Sequence, residues 1–386
     1  MSLNYMGNSY STRFLFSICT KRLYAKKKRG FILDGIFEHL AEELRDLFYN
    51  GVTLKLNGGE DKTFFLALIG IKGDWPIQAR MGNLQRHFCR KGVYKVSEKS
   101  GFCHLCRAGE EGYNPNDYSE RAAWRSTFLK FPPWSSEGPF CRVPQSSAKE
   151  FMHKFDLFHT LHKGCFAELA GSPGDIPVQL TAIYEMASEY CKSQNIPLHM
   201  DALTRHLLKF SGDAENWFKG ADTTAMCCFL ENFWSNHISS LDAPDAYLSS
   251  MLDALRSANA FMRLLFRSGL WLSLDRCRAV AKAGLGFLKA YLEASHAAYT
   301  MRRTRFKVTP KFHAMIHIVD TLVCASNAKR QWTLSPLSES TQIDEDFVGR
   351  IASITTSVDS RVVHKQTLDR YKTNVWKHLT GRSEKE

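Results

Sequence analysis

The chain has 386 residues, 44% hydrophobic and 12% aromatic, so it can bury a sizeable core and reads as globular rather than disordered. Its formal charge of +12, from 51 Lys and Arg against 39 Asp and Glu, favours a polyanionic partner. No apolar run reaches the roughly 18–20 residues needed to span a bilayer, which excludes a membrane-spanning helix. The 11 cysteines follow no repeating framework and point to reduced thiols in an intracellular protein. The length suggests two packed units.

Residues 1–30 form a basic tail that holds Arg13, Lys21, Arg22, Lys26, Lys27, Lys28 and Arg29 and no Asp or Glu. Serines interleave with Phe14, Leu15, Phe16 and Ile18. Lys26-Lys27-Lys28-Arg29 reads as a nuclear address or a phosphate-contacting patch, while the acid-free leader as a whole also fits a mitochondrial transit peptide or a solvated tail. Ile32, Ile36, Leu40, Leu44, Leu47 and Phe48 recur at helical spacing, so an amphipathic helix is expected from Ile32 to Tyr49, stopped by Gly51. Val52–Leu56 alternates as a short strand, and Asn57-Gly58-Gly59 turns into a second one.

Phe64–Ile71 is almost continuously apolar and reads as a strand buried on both faces. It ends in Gly73-Asp74-Trp75-Pro76, where proline forbids further pairing and Asp74 is presented at the strand tip. The plainer reading of Asp74 is a polar turn residue. Cys103-His104-Leu105-Cys106 is a CxxC knuckle that needs a second half-site at ligand spacing to make a zinc site, with Phe102 and Leu105 expected beneath it; His87, Cys89 and His104 are nearby, and none is identified as a further ligand. Residues 111–147 read as an irregular, partly packed region around Trp124 and Trp134. Helical patterns then dominate, at 148–169, 176–193, 199–211, 221–236, 242–267, 270–298, 310–324 and 341–356. The expected organisation is a mixed α/β piece at 31–110, a helical domain at 148–330, helices returning to the core at 331–376 and a tail at 377–386.

Asp156 and His159 are three apart on one helical face and could hold a metal or phosphate; the plainer reading is a helix-start Asp with a surface His. His313 and His317 have zinc-compatible i, i+4 spacing but lack the Glu of a metalloprotease motif and read as packing residues. Asp344-Glu345-Asp346 opens a helix, where acids complement the dipole or present a catalytic carboxylate. Arg302, Arg303, Arg305 and Lys307 form a second basic cluster. There is no GxGxxG, GxxxxGK[ST] or GxSxG, which removes the usual support for nucleotide-cofactor and hydrolase readings.

Taken in order, the amphipathic helix, GVTL, the apolar run ending in GDWP and the FCHLC knuckle resemble a segment of the CACTA-type (En/Spm) DNA transposases. The DLFH of Asp156–His159, PKFHAMIH and IDEDFVGRI extend the resemblance over roughly residues 30–375. It implies an incomplete RNase H-like sheet core followed by a large helical insertion, DNA as partner, possible homo-oligomers and a nuclear location. It also implies Mg²⁺-dependent phosphodiester cleavage or strand transfer by Asp74 and Glu345, with Asp156 and His159 in the Asp-x-x-His role and structural Zn²⁺ on Cys103 and Cys106. The family's first catalytic Asp lies upstream of the helix at 32–49, where this chain has no acid. Chemistry is therefore expected to be lost, leaving DNA binding or, as an alternative, a helical interaction scaffold.

Overall fold

Ile32–Tyr49 falls within α2 (Phe31–Tyr49) in the computed structural model, which describes residues 8–20, 30–56, 58–87, 101–145, 147–171, 180–204, 220–243, 245–303 and 305–381. Helix makes up 59% and strand 6%, so the chain is mostly α. It divides into two units, one built from residues 1–114, 121–154 and 341–386, the other from 115–120 and 155–340.

In the first unit α2 buries Phe37 and Ala41 against Ile71, Phe140, Val143 and Met152. Gly51 then turns the chain with φ of 69°, and a Cβ there would stand 2.7 Å from the Phe64 carbonyl, so only glycine fits. The strands β1 (Val52–Lys55) and β2 (Asp61–Phe64) pair antiparallel, Val52 opposite Phe64 and Lys55 opposite Asp61.

Here the expectation of an interior strand fails. Among the described residues this sheet has two strands only. Both are exposed along their length, and Phe65 and Ile69 are 64% and 53% exposed. The reason is local. The Leu66 N–H leaves the ladder for the Leu47 carbonyl at the end of α2, and the next β contact is Ile71 alone, bridging His153. Asp74 therefore ends no strand. It caps α3 (Trp75–Met81), accepting the Ile77 N–H at 3.3 Å, with Pro76 in the first turn where no N–H is needed.

The first helix among the described residues, α1 (Ser9–Thr12), packs on helices much later in the sequence. Those are α10 (Gln342–Thr355) and α11 (Val363–Thr380), whose Phe347, Ile351 and Tyr371 form a small core with Tyr10, Leu15 and Ile18. Ser9 Oγ donates to Asp346 at 2.8 Å, Tyr371 donates to the Arg13 carbonyl at 2.9 Å, and the buried Arg13 is paired with Asp344. The irregular stretch 111–147 is packed as expected, with Trp124 and Phe140 buried.

The single helix expected at 148–169 is broken, because a 3₁₀ turn at Lys149–Met152 is followed by extended chain and then a π-helix, Phe158–Cys165. Asp156 causes the restart, its carboxylate accepting the N–H groups of Phe158 (2.9 Å) and His159 (3.2 Å). After α4 (Phe166–Gly171) come α5 (Leu180–Ser193), α6 (Gly220–Ser239) and α7 (Ala246–Phe266). The helix expected at 199–211 falls partly outside the described residues; 199–204 are not helical.

Strand β3 (Trp271–Ser273) pairs with β4 (Trp332–Leu334), and between them run α8 (Leu274–Thr300) and α9 (Pro310–Asn327). Val280, Gly284, Phe287, Tyr291 and Ala294 make the buried stripe of α8 at helical spacing. At Gly284 a Cβ would lie 2.6 Å from Val319, so the missing side chain sets the close approach of α8 and α9.

Candidate metal centre

Cys103 and Cys106 lie in a tight turn closed by the Phe102 N–H donating to the Ala108 carbonyl at 3.2 Å. The Leu105 N–H reaches Cys103 Sγ at 3.4 Å, and the Ala108 backbone hydrogen-bonds Cys106. Backbone donors aimed at sulfur favour the thiolate. Burial opposes them: it pushes the Cys106 thiol up strongly, and the neighbouring Cys103 thiol adds to the rise. Burial thus disfavours the Cys106 thiolate. Phe102 and Leu105 are buried, as expected. His104 is engaged with its own unit, Nε2 lying 2.7 Å from the His153 carbonyl and its ring edge-on to Trp75 at 4.7 Å. Of the other suggested ligands, His87 lies in a cleft with Asp34, Phe37, Arg80 and Glu137, and Cys89 is outside the described residues.

His313 and His317 sit one turn apart on α9, both buried, with rings 4.6 Å apart and nearly perpendicular. His313 Nδ1 lies 2.8 Å from the Pro115 carbonyl, so the proton on Nδ1 leaves Nε2 as the lone-pair donor. His317 stacks on Phe155 at 5.4 Å. Carbonyl-anchored Nδ1 and an aromatic wall are the supports a metal-ligating imidazole uses. One ligand atom from each of Cys103, Cys106, His313 and His317 lies within 4.8 Å of the others, all four residues are buried, and the cluster could hold a metal ion.

No family model, curated protein or solved structure matches this chain. Its chemistry has to be argued from its own residues.

The acids named from sequence are occupied in different ways. Asp74 is exposed and spends its carboxylate on the cap of α3. Glu345 is exposed in the first turn of α10, and beside it Asp344 is paired with Arg13 and with Lys72 at 2.9 Å. Asp346 accepts from Ser9 and from Arg350, each at 2.8 Å. Lys72, two residues before Asp74, thus reaches the first turn of α10. In the other unit Asp156 is buried and paired with His159 Nδ1, and His162, one turn on, is enclosed by Phe158 and Phe166. Burial pulls the His162 pKa down to about 4, only partly offset by Asp156.

Lys26, Lys27, Lys28 and Arg29 lie outside the described residues. Arg302 and Arg303 are exposed just beyond α8, Arg302 with φ of 55° and Arg303 over the Tyr247 ring at 5.6 Å, and Arg305 is half-buried. No helix among the described residues is long and apolar enough to cross a membrane.

Both histidines are packed as read from the sequence, and they also belong to a cluster that could hold a metal ion. The spacing signal was visible at i, i+4, but a missing Glu argues only against hydrolytic zinc; a closed structural site needs no general base.

Proposed function

We propose that this chain is a zinc-structured DNA-binding protein of transposase descent that does not itself cut DNA. The observation that carries the reading is the four-donor cluster of Cys103, Cys106, His313 and His317. Two cysteine sulfurs and two imidazoles, all buried, would fill the four positions of a closed structural Zn²⁺ site, a donor set that suits zinc rather than oxygen-seeking Mg²⁺ or Ca²⁺. Zinc there contributes folding free energy. The present partners of three candidate carboxylates speak against a two-ion Mg²⁺ centre. Asp74 is a helix cap, Asp344 is held by two cations and Asp156 is bonded to His159. DNA as the partner is supported by the charge of +12 and by the exposed arginines after α8, which suit phosphate rather than base contacts. A nuclear location accords with that partner.

The test has two arms. Purified protein should contain one zinc per chain, lost in Cys106→Ser and His317→Ala. Its affinity for duplex DNA should fall with salt at a log–log slope of about −0.9 per phosphate contacted, with little sequence preference and no Mg²⁺- or Mn²⁺-dependent nicking. Replacing Arg302, Arg303 and Arg305 with Gln should flatten the slope. DNA binding that is absent or insensitive to salt would return the chain to the helical-scaffold reading.

A further inference from the structure

Arg86 is a half-buried arginine whose guanidinium contacts backbone carbonyls. Its Nε donates to the Cys103 carbonyl at 3.1 Å, its Nη2 to Phe131 at 2.6 Å and its Nη1 to Pro132 at 3.3 Å. The chain around it is stitched to the same strip, because the N–H groups of Gln85 and Arg86 both reach the Pro133 carbonyl, at 2.6 and 3.2 Å. On the other side of the turn the Leu129 N–H reaches the Leu105 carbonyl at 2.8 Å, and the Arg107 N–H reaches Thr127 Oγ1 at 3.0 Å. Residues 127–133 thus back the cysteine turn, and Arg86 joins the two.

An arginine placed to pair with nucleic acid or a carboxylate would turn its fork outward. This one is turned onto three carbonyls, one belonging to a cysteine of the cluster. The fork has the planar, multi-point geometry that a lysine ammonium cannot reproduce. Its charge is also felt by both thiols, since Cys103 and Cys106 each act to raise the Arg86 pKa against the lowering effect of burial.

We infer that Arg86 is the positioning residue of the zinc site: by fixing the Cys103 carbonyl against residues 131–132, it holds the turn in which both sulfurs face one ion. The inference rests on the zinc reading above. It assigns the effect to the geometry of the fork rather than to its charge. Binding Zn²⁺ while releasing two thiol protons leaves the net charge unchanged, so a nearby cation has little net leverage on affinity. Outer partners that orient metal ligands typically contribute 10- to 100-fold in metal affinity.

The experiment compares wild type, Arg86→Gln and Arg86→Lys by Co²⁺ and Zn²⁺ binding in competition with a chelator of known affinity, using the tetrahedral Co²⁺ absorption bands as the geometric readout. Both variants are expected to bind 10- to 100-fold more weakly, with Co²⁺ bands that are weakened and shifted. Wild-type affinity and spectrum in both would overturn the inference. So would a Lys variant that matches wild type while the Gln variant fails, because charge would then be the operative property. If the Gln variant does not fold, the Lys variant decides alone. Wild type that takes up neither metal would overturn the zinc reading itself, which separates that failure from a failure of Arg86.

Discussion

Replacing Asp74 separates a capping residue from a catalytic acid. Its Oδ1 accepts the Ile77 N–H at 3.3 Å and its backbone is extended, the arrangement of a helix N-cap. Loss of such a cap costs about 0.5–2 kcal/mol. The long bond and the exposed carboxylate place Asp74→Ala in the lower half of that range, about 0.5–1 kcal/mol. The loss is not smaller because the same first turns carry Gln78, whose side chain ties the Gly73 and Lys154 carbonyls at 2.8 and 3.0 Å. Asn keeps the cap and gives up only the interaction of the charge with the helix dipole, about 0.3 kcal/mol. In urea denaturation, Asp74→Ala should lower the midpoint with an unchanged m-value, and Asp74→Asn should lie close to wild type. In thermal melts the Ala variant should fall by about 1–4 °C. If Asn is as damaging as Ala, or if Asp74→Asn abolishes a metal-dependent cleavage that wild type performs, the carboxylate is wanted for its charge and the capping argument is wrong.

Two further outcomes are expected. Arg13→Ala removes one partner of a pair whose arginine side chain is 2% exposed and whose Asp344 is 23% exposed, and should destabilise by about 2–4 kcal/mol; a double-mutant cycle with Asp344→Asn should give a coupling above about 0.5 kcal/mol, and a smaller value would make the pair incidental. Acid should weaken the fold early: burial lowers His162 to about 4 and His153 to about 3 from an ordinary 6.5, so the unfolded chain takes up protons first. The stability they contribute is complete above 6.5 and is lost as pH falls toward those values, at up to about 1.4 kcal/mol per pH unit for each histidine. Urea midpoints at pH 7, 6 and 5 should record the decline, His162→Leu should shallow it, and a flat wild-type profile would contradict it.

The helices were legible in the sequence because their evidence is periodic and local. Ile32 to Tyr49 falls within one residue of α2, and Pro310 opens α9 as its position suggested. The cysteine turn was legible from two residues and their spacing. What could not be read was decided by pairing across the chain. Phe64–Ile71 has the composition of an interior strand, but burial depends on neighbours that no local pattern specifies, and Leu66 bonds to α2 instead. Asp74 followed two residues later by Pro76 is itself a helix-start signal, outweighed in the reading by the apolar run before it. The two histidines of the cluster lie far along the sequence from the two cysteines, and no local pattern links the pairs.

The contacts of α1 carry a consequence for how the protein is made. Ser9 to Asp346, Arg13 to Asp344 and Tyr371 to Arg13 join residues 337, 331 and 358 positions apart. At synthesis rates of about 5–20 residues per second, the opening segment waits roughly 20–70 s after emerging before its partners exist. The unit formed mainly by 155–340 is nearly continuous in sequence and faces no such delay. Closure of the first unit therefore waits for the synthesis of α10 and α11. Through that interval Tyr10, Leu15 and Ile18 lack Phe347, Ile351 and Tyr371, the side chains they later pack against, and their apolar surface stays open to water.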